Sequence, residues 1–254
     1  MARFAFGSLV SLLALSLAAC GGSPSGSGTP SPSATGTTPG TAAPSTPQML
    51  KQHGTIIDFG SQKPVAGATV TANDSTTTTD AKGNFDLPIP ANEAFEMNVT
   101  APSYVKLVQQ QTTLTGDYDS GNISLVPMSL EGLLQDTLSG YDATLGVLSI
   151  SVLPTGGCQS EAGATIDFSP KGAGQLRYVA NGLPTATATA VSAGQLPSAV
   201  IYNLQPNVPI TVTVTSPTCT QSAFPVATPQ GITYFASVAT EPGNVTAFQR
   251  LFLQ

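Results

Sequence analysis

Lys63-Pro64-Val65-Ala66-Gly67-Ala68-Thr69-Val70 followed by Thr79-Asp80-Ala81-Lys82-Gly83-Asn84-Phe85 is the stretch that decides the fold. Small or β-branched apolar residues alternate with polar ones on either side of an Asp-Ala-Lys-Gly turn. Alternation with period two marks a half-buried strand. Gly83 can take the positive φ that such a turn asks for. Outward from this stretch, Thr55–Phe59, Ala68–Ala72, Asn84–Leu87, Phe95–Val99, Val105–Val108 and Asn122–Leu125 read as strands. Asn73-Asp74 and Asp117 to Gly121 supply turns between them. About seven strands in about 75 residues is the spacing of a β-sandwich.

Composition points the same way. Charged residues make up 9% of the 254, with 8 Lys+Arg against 14 Asp+Glu, while Gly reaches 25 and Pro 21. That excludes a polybasic nucleic-acid binder, whose footprint is a clustered basic face, and disfavours a long charged helix or coiled coil.

The N-terminal residues read as an export signal. Arg3 precedes the apolar run Leu9 to Leu17 and the small pair Ala18-Ala19, the order of a secretory signal peptide. The run is short of the roughly 20 apolar residues a spanning helix needs. Leu17-Ala18-Ala19-Cys20 resembles the lipobox of bacterial lipoproteins. The resemblance implies cleavage before Cys20, a diacylglyceryl group on its sulfur and an acyl chain such as palmitate on its new amine. Gly21 in place of Asp leans towards sorting to the cell outer membrane. Several acyl chains give stable anchoring where one gives marginal binding. From Gly21 to Gln48 only Gly, Pro, Ser, Thr, Ala and one Gln occur, too little apolar surface to offset ordering entropy. The stretch is expected to be a disordered linker.

The order Gly54-Thr55-Ile56-Ile57-Asp58, Lys63 to Val70, Thr79 to Phe85, Val99-Thr100-Ala101-Pro102-Ser103-Tyr104 and Asp119 to Leu125 resembles the carboxypeptidase regulatory-like domain. The resemblance implies a seven-stranded transthyretin-like sandwich and says little of activity, since such domains accompany enzymes, receptors and surface proteins. The second half repeats the order. Gly146 to Ile150 answers Gly54 to Asp58, Ala162 to Ile166 answers Ala66 to Val70, Tyr202-Asn203-Leu204 answers Phe85-Asp86-Leu87, and Gly243-Asn244-Val245-Thr246 answers Gly121-Asn122-Ile123-Ser124. The expected architecture is all-β, two tandem transthyretin-like or Ig-like β-sandwich domains after the linker. Residues 1–19 would be signal peptide, 20–50 lipidated Cys and linker, 51–127 the first sandwich, 128–144 a connector and 145–254 a degenerate second copy. The copy is enlarged in its middle, where Leu176 to Ala180 and Ala186 to Val191 suggest an added hairpin. In the connector, Leu130, Leu133, Leu134 and Leu138 recur at helical spacing between Ser129, a candidate cap, and Gly140. Gly132 and Gly140 lead us to expect no continuous core shared by the sandwiches.

Candidate chemistry is sparse. His53 is the single imidazole, so the multi-His metal sets of zinc carboxypeptidases or intradiol dioxygenases cannot be assembled. Its place just after the linker suits an exposed strand edge. Asp117-Tyr118-Asp119-Ser120-Gly121-Asn122 alternates oxygen ligands in a way that suggests calcium, but lacks the closing bidentate Glu. No nucleophile elbow, P-loop or dinucleotide fingerprint is present. No catalytic residue, metal or cofactor is expected, and no nucleic-acid partner. With Cys20 carrying lipid, export leaves Cys158 and Cys219 to form a disulfide or remain as buried thiols; the disulfide is the expectation. The functional expectation is a non-catalytic, membrane-anchored envelope protein whose sandwiches make protein contacts or give structural support. The alternative is a module binding envelope polysaccharide or another extracellular ligand, which exposed clustered Tyr would favour.

Overall fold

β1 (Met49–Asp58) lies at the centre of a three-stranded sheet, antiparallel to β4 (Asn84–Pro90) and parallel to β8 (Tyr118–Leu125). This computed structural model describes residues 47–172, 174–236, 238–241 and 245–254. In β4 the alternation expected from sequence is complete: Phe85, Leu87 and Ile89 are buried while Asp86 and Pro88 face out. Two prolines are tolerated there because β4 is an edge strand, where a missing N–H breaks no ladder. Facing this sheet, β3 (Ser75–Thr78), β2 (Thr69–Ala72), β5 (Asn98–Thr100) and β6 (Lys106–Gln109) pair antiparallel in that order. Ile56, Phe85, Leu87 and Leu125 from one sheet meet Val70, Val99 and Leu107 from the other in the first core. At the turn before β4, a Cβ on Gly83 (φ +77°) would meet the carbonyl oxygen of Ile56, so both backbone and space demand glycine.

The pairing recurs in the second half. β9 (Gly146–Pro154) lies between β13 (Ala199–Leu204), antiparallel, and β18 (Val245–Leu253), parallel. Opposite them, β10 (Thr165–Ser169), β14 (Pro209–Thr215) and β17 (Val238–Ala239) form an antiparallel sheet. Leu148, Ile150, Ile201 and Leu251 pack on Ile166, Val212 and Val214 in the second core. The enlargement is a hairpin of β11 (Gln175–Ala180) and β12 (Leu183–Thr185) added beyond β13. Its return arm is therefore 183–185, and 186–191 is not strand. Asn181 (φ 53°) and Gly182 (φ 80°) make the turn, since Asn-Gly accepts the left-handed conformation at both central positions of a two-residue hairpin.

The connector led us to expect no continuous core shared by the sandwiches; the structure holds two cores but joins the sandwiches through a sheet. β18 pairs on its other side with β6, parallel, Thr246 opposite Leu107 and Ala247 opposite Val108. One nine-stranded sheet, β12-β11-β13-β9-β18-β6-β5-β2-β3, thus runs through both halves. Its two cores lie on opposite faces, because Leu107 belongs to the first and its neighbour Val108 to the second. A further small sheet joins β7 (Thr112–Leu114) to β16 (Ile232–Tyr234) and β15 (Val226–Ala227), bringing Ile232 and Tyr234 into the first core. The intervening glycines do not isolate the halves, because the pairing that joins them bypasses the connector. The described residues form one compact unit.

The connector holds a 3₁₀ turn (Met128–Leu130) and α1 (Glu131–Thr137). Leu138 is fully buried, and Gly140 (φ +71°) follows the helix.

Candidate functional site

β9 and β18 are covered on both faces, and the second core takes only one of them. On β18, Ala247 and Leu251 enter the second core, while Phe248, Arg250 and Phe252 alternate onto the opposite face. On β9 and β13 that opposite face carries Val147 and Val200. This surface, the edge of β8, α1 and the β11–β12 hairpin enclose a cleft of about 360 Å³. Val147, Val179, Leu183, Val200, Leu130 and Phe248 give it apolar lining. Arg250 is the one charged side chain among its described lining residues.

Arg250 is held by groups from both halves. Its Nη1 donates to Tyr234 Oη at 2.6 Å and to Tyr118 Oη at 3.4 Å, and the two phenolic oxygens lie 3.2 Å apart. The guanidinium sits 5.4 Å from the Tyr234 ring centroid, a cation–π distance. Its backbone N–H donates to Gln110 Oε1, and Gln110 Nε2 donates to the Phe235 carbonyl at 2.8 Å, which fixes the corner between β6 and β7 against β18. Burial pushes the Tyr234 phenol well above its ordinary pKa, outweighing the opposite pull of Arg250. Burial also works against the Arg250 charge, but the neighbouring phenols more than offset it and its pKa is raised. At neutral pH the site therefore holds one positive charge beside the neutral Tyr234 phenol. No carboxylate among the described residues forms an ion pair with Arg250.

Of the site residues singled out in the sequence, Tyr118, Ser120 and Asn122 line this cleft and the others lie elsewhere. Cys20 is outside the described residues. Cys158 and Cys219 are joined by a disulfide with Cα atoms 5.6 Å apart, between the turn after β9 and the end of β14. His53 occupies the central strand of its sheet rather than an edge, because β8 pairs along β1 on the side away from β4. Its Nε2 lies 3.8 Å from Asp119 Oδ2. The Asp117 to Gly121 turn is likewise corrected: it is the irregular start of β8, with a register shift opposite His53 and Thr55 and Gly121 at φ +63°. There Asp117 Oδ1 accepts the Lys51 N–H and Asp119 Oδ1 accepts the Gly121 N–H, both at 2.8 Å. No group of three or more His, Cys, Asp or Glu side chains converges for a metal among the described residues. Arg250 and Tyr234 were not singled out by sequence reasoning. The available signal was a lone charged residue, Arg250, between Phe248 and Phe252 on one face of a mainly apolar strand.

Residues 53–126 match the carboxypeptidase regulatory-like domain. No curated protein matches the chain. Among solved structures, the Bacillus anthracis TIE protein aligns at 11% identity and a TM-score of 0.26 over 81% of this chain, which spans 34% of that protein. The shaft pilin SpaA of Lactobacillus rhamnosus GG aligns at 12% identity and a TM-score of 0.23, over 82% of this chain and 98% of the pilin. The minor pilin of Streptococcus agalactiae aligns at 10% identity and a TM-score of 0.23, over 81% of this chain and 96% of that one. Superposition this loose carries no argument about activity or assembly. No helix among the described residues is long and apolar enough to cross a membrane.

Proposed function

We propose that this is a non-catalytic envelope lipoprotein: Cys20 carries the lipid, the Gly/Pro/Ser/Thr stretch is the tether, and the second half is a diverged copy of the first. The observation that carries the reading is the nine-stranded sheet, which fuses two sandwiches into one unit suited to bearing contacts at a distance from an anchor. Two further features support it. The Leu17-Ala18-Ala19-Cys20 sequence has the form of a lipobox, and a disulfide belongs to an oxidising compartment. Partners would be an envelope protein or polysaccharide, met on the face of the membrane to which the tether leads. Replacing Cys20 by Ala is the test: acyl labelling should vanish and the protein should leave the membrane fraction, whereas unchanged labelling and fractionation would defeat the reading.

A second reading, a ligand-binding module, is favoured by one observation. The fold brings Tyr118 and Tyr234, 116 residues apart in sequence, to the same cation in an apolar cleft.

A further inference from the structure

We propose that the cleft at Arg250 binds an amphipathic monocarboxylate, its carboxylate on the guanidinium and its apolar body along Val179, Leu183 and Val200. The proposal rests on the ligand-binding reading of the cleft and adds to it the chemical class of the ligand.

A half-buried cation without a counter-ion is costly unless something pairs with it. The protein supplies Arg250 with two phenolic oxygens and an aromatic face, but no negative charge among the described residues. Because Tyr234 stays protonated, it brings Arg250 a neutral phenol and no compensating negative charge. The planar guanidinium fork matches a carboxylate bidentately. A single positive charge suits one negative charge; a phosphate dianion would call for a second cation, and none lines the cleft among the described residues. The rest of the lining is mainly apolar, and the volume of about 360 Å³ is near the lower end, roughly 300 Å³, of small-molecule sites. That size selects a short body, such as a chain of about ten carbons.

The experiment is equilibrium dialysis of decanoate and of decanol against the purified full chain at neutral pH, repeated with Arg250→Gln and Leu183→Asp. Decanoate should bind saturably, and decanol at least about tenfold more weakly, the loss expected when a charge-assisted hydrogen-bonded pair is absent. Arg250→Gln should weaken decanoate by about the same factor and decanol by less, so that the preference for decanoate is lost. Equal binding of decanoate and decanol would overturn the carboxylate assignment while leaving the cleft as a ligand site. Binding of neither would overturn both. Should Arg250→Gln fail to fold, Leu183→Asp decides: Leu183 is 42% exposed at the cleft, so the change adds a like charge without disturbing a core. Weakened decanoate binding supports the proposal, and unchanged binding overturns it.

Discussion

β8 and β18 finish their sandwiches in the same way, each lying parallel to the first strand of its half, yet they differ in what lies on the other side. β18 carries β6 on its second edge and so becomes an interior strand of the nine-stranded sheet. Among the described residues β8 carries no further strand and borders the cleft instead. Two closing strands in equivalent positions therefore differ in role: one joins the halves, the other leaves room beside it. The difference also shows in burial. β9, beside a joining strand, is buried along nearly its whole length, at Ser149 as well as at its apolar residues, whereas β14, covered on one face, alternates strictly.

The comparison breaks most readily at β18. Phe252, 4% exposed, points into the first core although its strand belongs to the second half. Phe252→Ala should cost about 3–5 kcal/mol, the range for truncating a buried aromatic. Calorimetry should show the single unfolding peak of the whole unit shifting down. Two separate peaks would mean that the shared sheet does not couple the halves.

Next in size is the bridge, present only in the second half. Removing it by Cys158→Ser with Cys219→Ser should lower stability by about 2–4 kcal/mol; the chain-entropy value for so long a loop lies near the top of that range. Cysteines 61 apart in sequence close the loop. Denaturant titration should register the loss in probes of both halves if they unfold together.

A glycine in each first strand, Gly54 in the middle of β1 and Gly146 at the start of β9, sharpens the comparison further. A Cβ on Gly54 would sit 2.8 Å from the Gly121 carbonyl oxygen, and one on Gly146 would collide with Thr240. Gly54→Ala presses on β8 and Gly146→Ala on the segment between β17 and β18. Each should cost about 1–3 kcal/mol through overpacking, measured as shifts of the denaturation midpoint; a neutral Gly54→Ala would show that the close approach of β1 to β8 is dispensable.

The smallest effect lies where β6 meets β18. Burial, reinforced by the charge of Glu241, raises the Glu96 carboxyl pKa, against an opposing pull from Lys106. Lys106 Nζ itself pairs with Glu241 at 2.5 Å. A carboxyl whose folded pKa is raised favours the folded state at low pH. That contribution fades as pH rises from the unfolded value through the folded one. Glu96→Gln should therefore raise the melting temperature slightly at neutral pH and leave it unchanged near pH ~3, below the carboxylate range. A drop at neutral pH would show that Glu96 is held by Lys106 more strongly than burial opposes it.

Much of this fold was legible because strands and turns are local. Gly83 and Asn73 announce turns within a few residues. The ordered repeat placed β1 with β9, β2 with β10 and β4 with β13, and the count of three Cys suggested the bridge. The Asn181-Gly182 turn was equally readable and would have set the hairpin arm at Leu183. The joining of β6 to β18 was not readable: Lys106 and Val245 become neighbours through no turn and no motif. The cleft depends on that joining, so Arg250, unremarkable in a strand, gains meaning only once Tyr118 and Tyr234 arrive from distant positions.

The interior position of β18 also bears on how the protein is made. A chain that emerges N-terminus first delivers β1 to β17 before the strand that fills the middle of the shared sheet. Until then β9 and β6 expose open edges, and such edges are hazards for pairing with the wrong chain. High sequence separation of contacts also slows closure. The design delays completion of the unit until residues 245–253 are available, which favours folding after the whole unit has emerged over folding during synthesis. A chain stopped before Val245 should accordingly remain protease-sensitive in both halves, whereas a resistant first half would show that it matures without waiting.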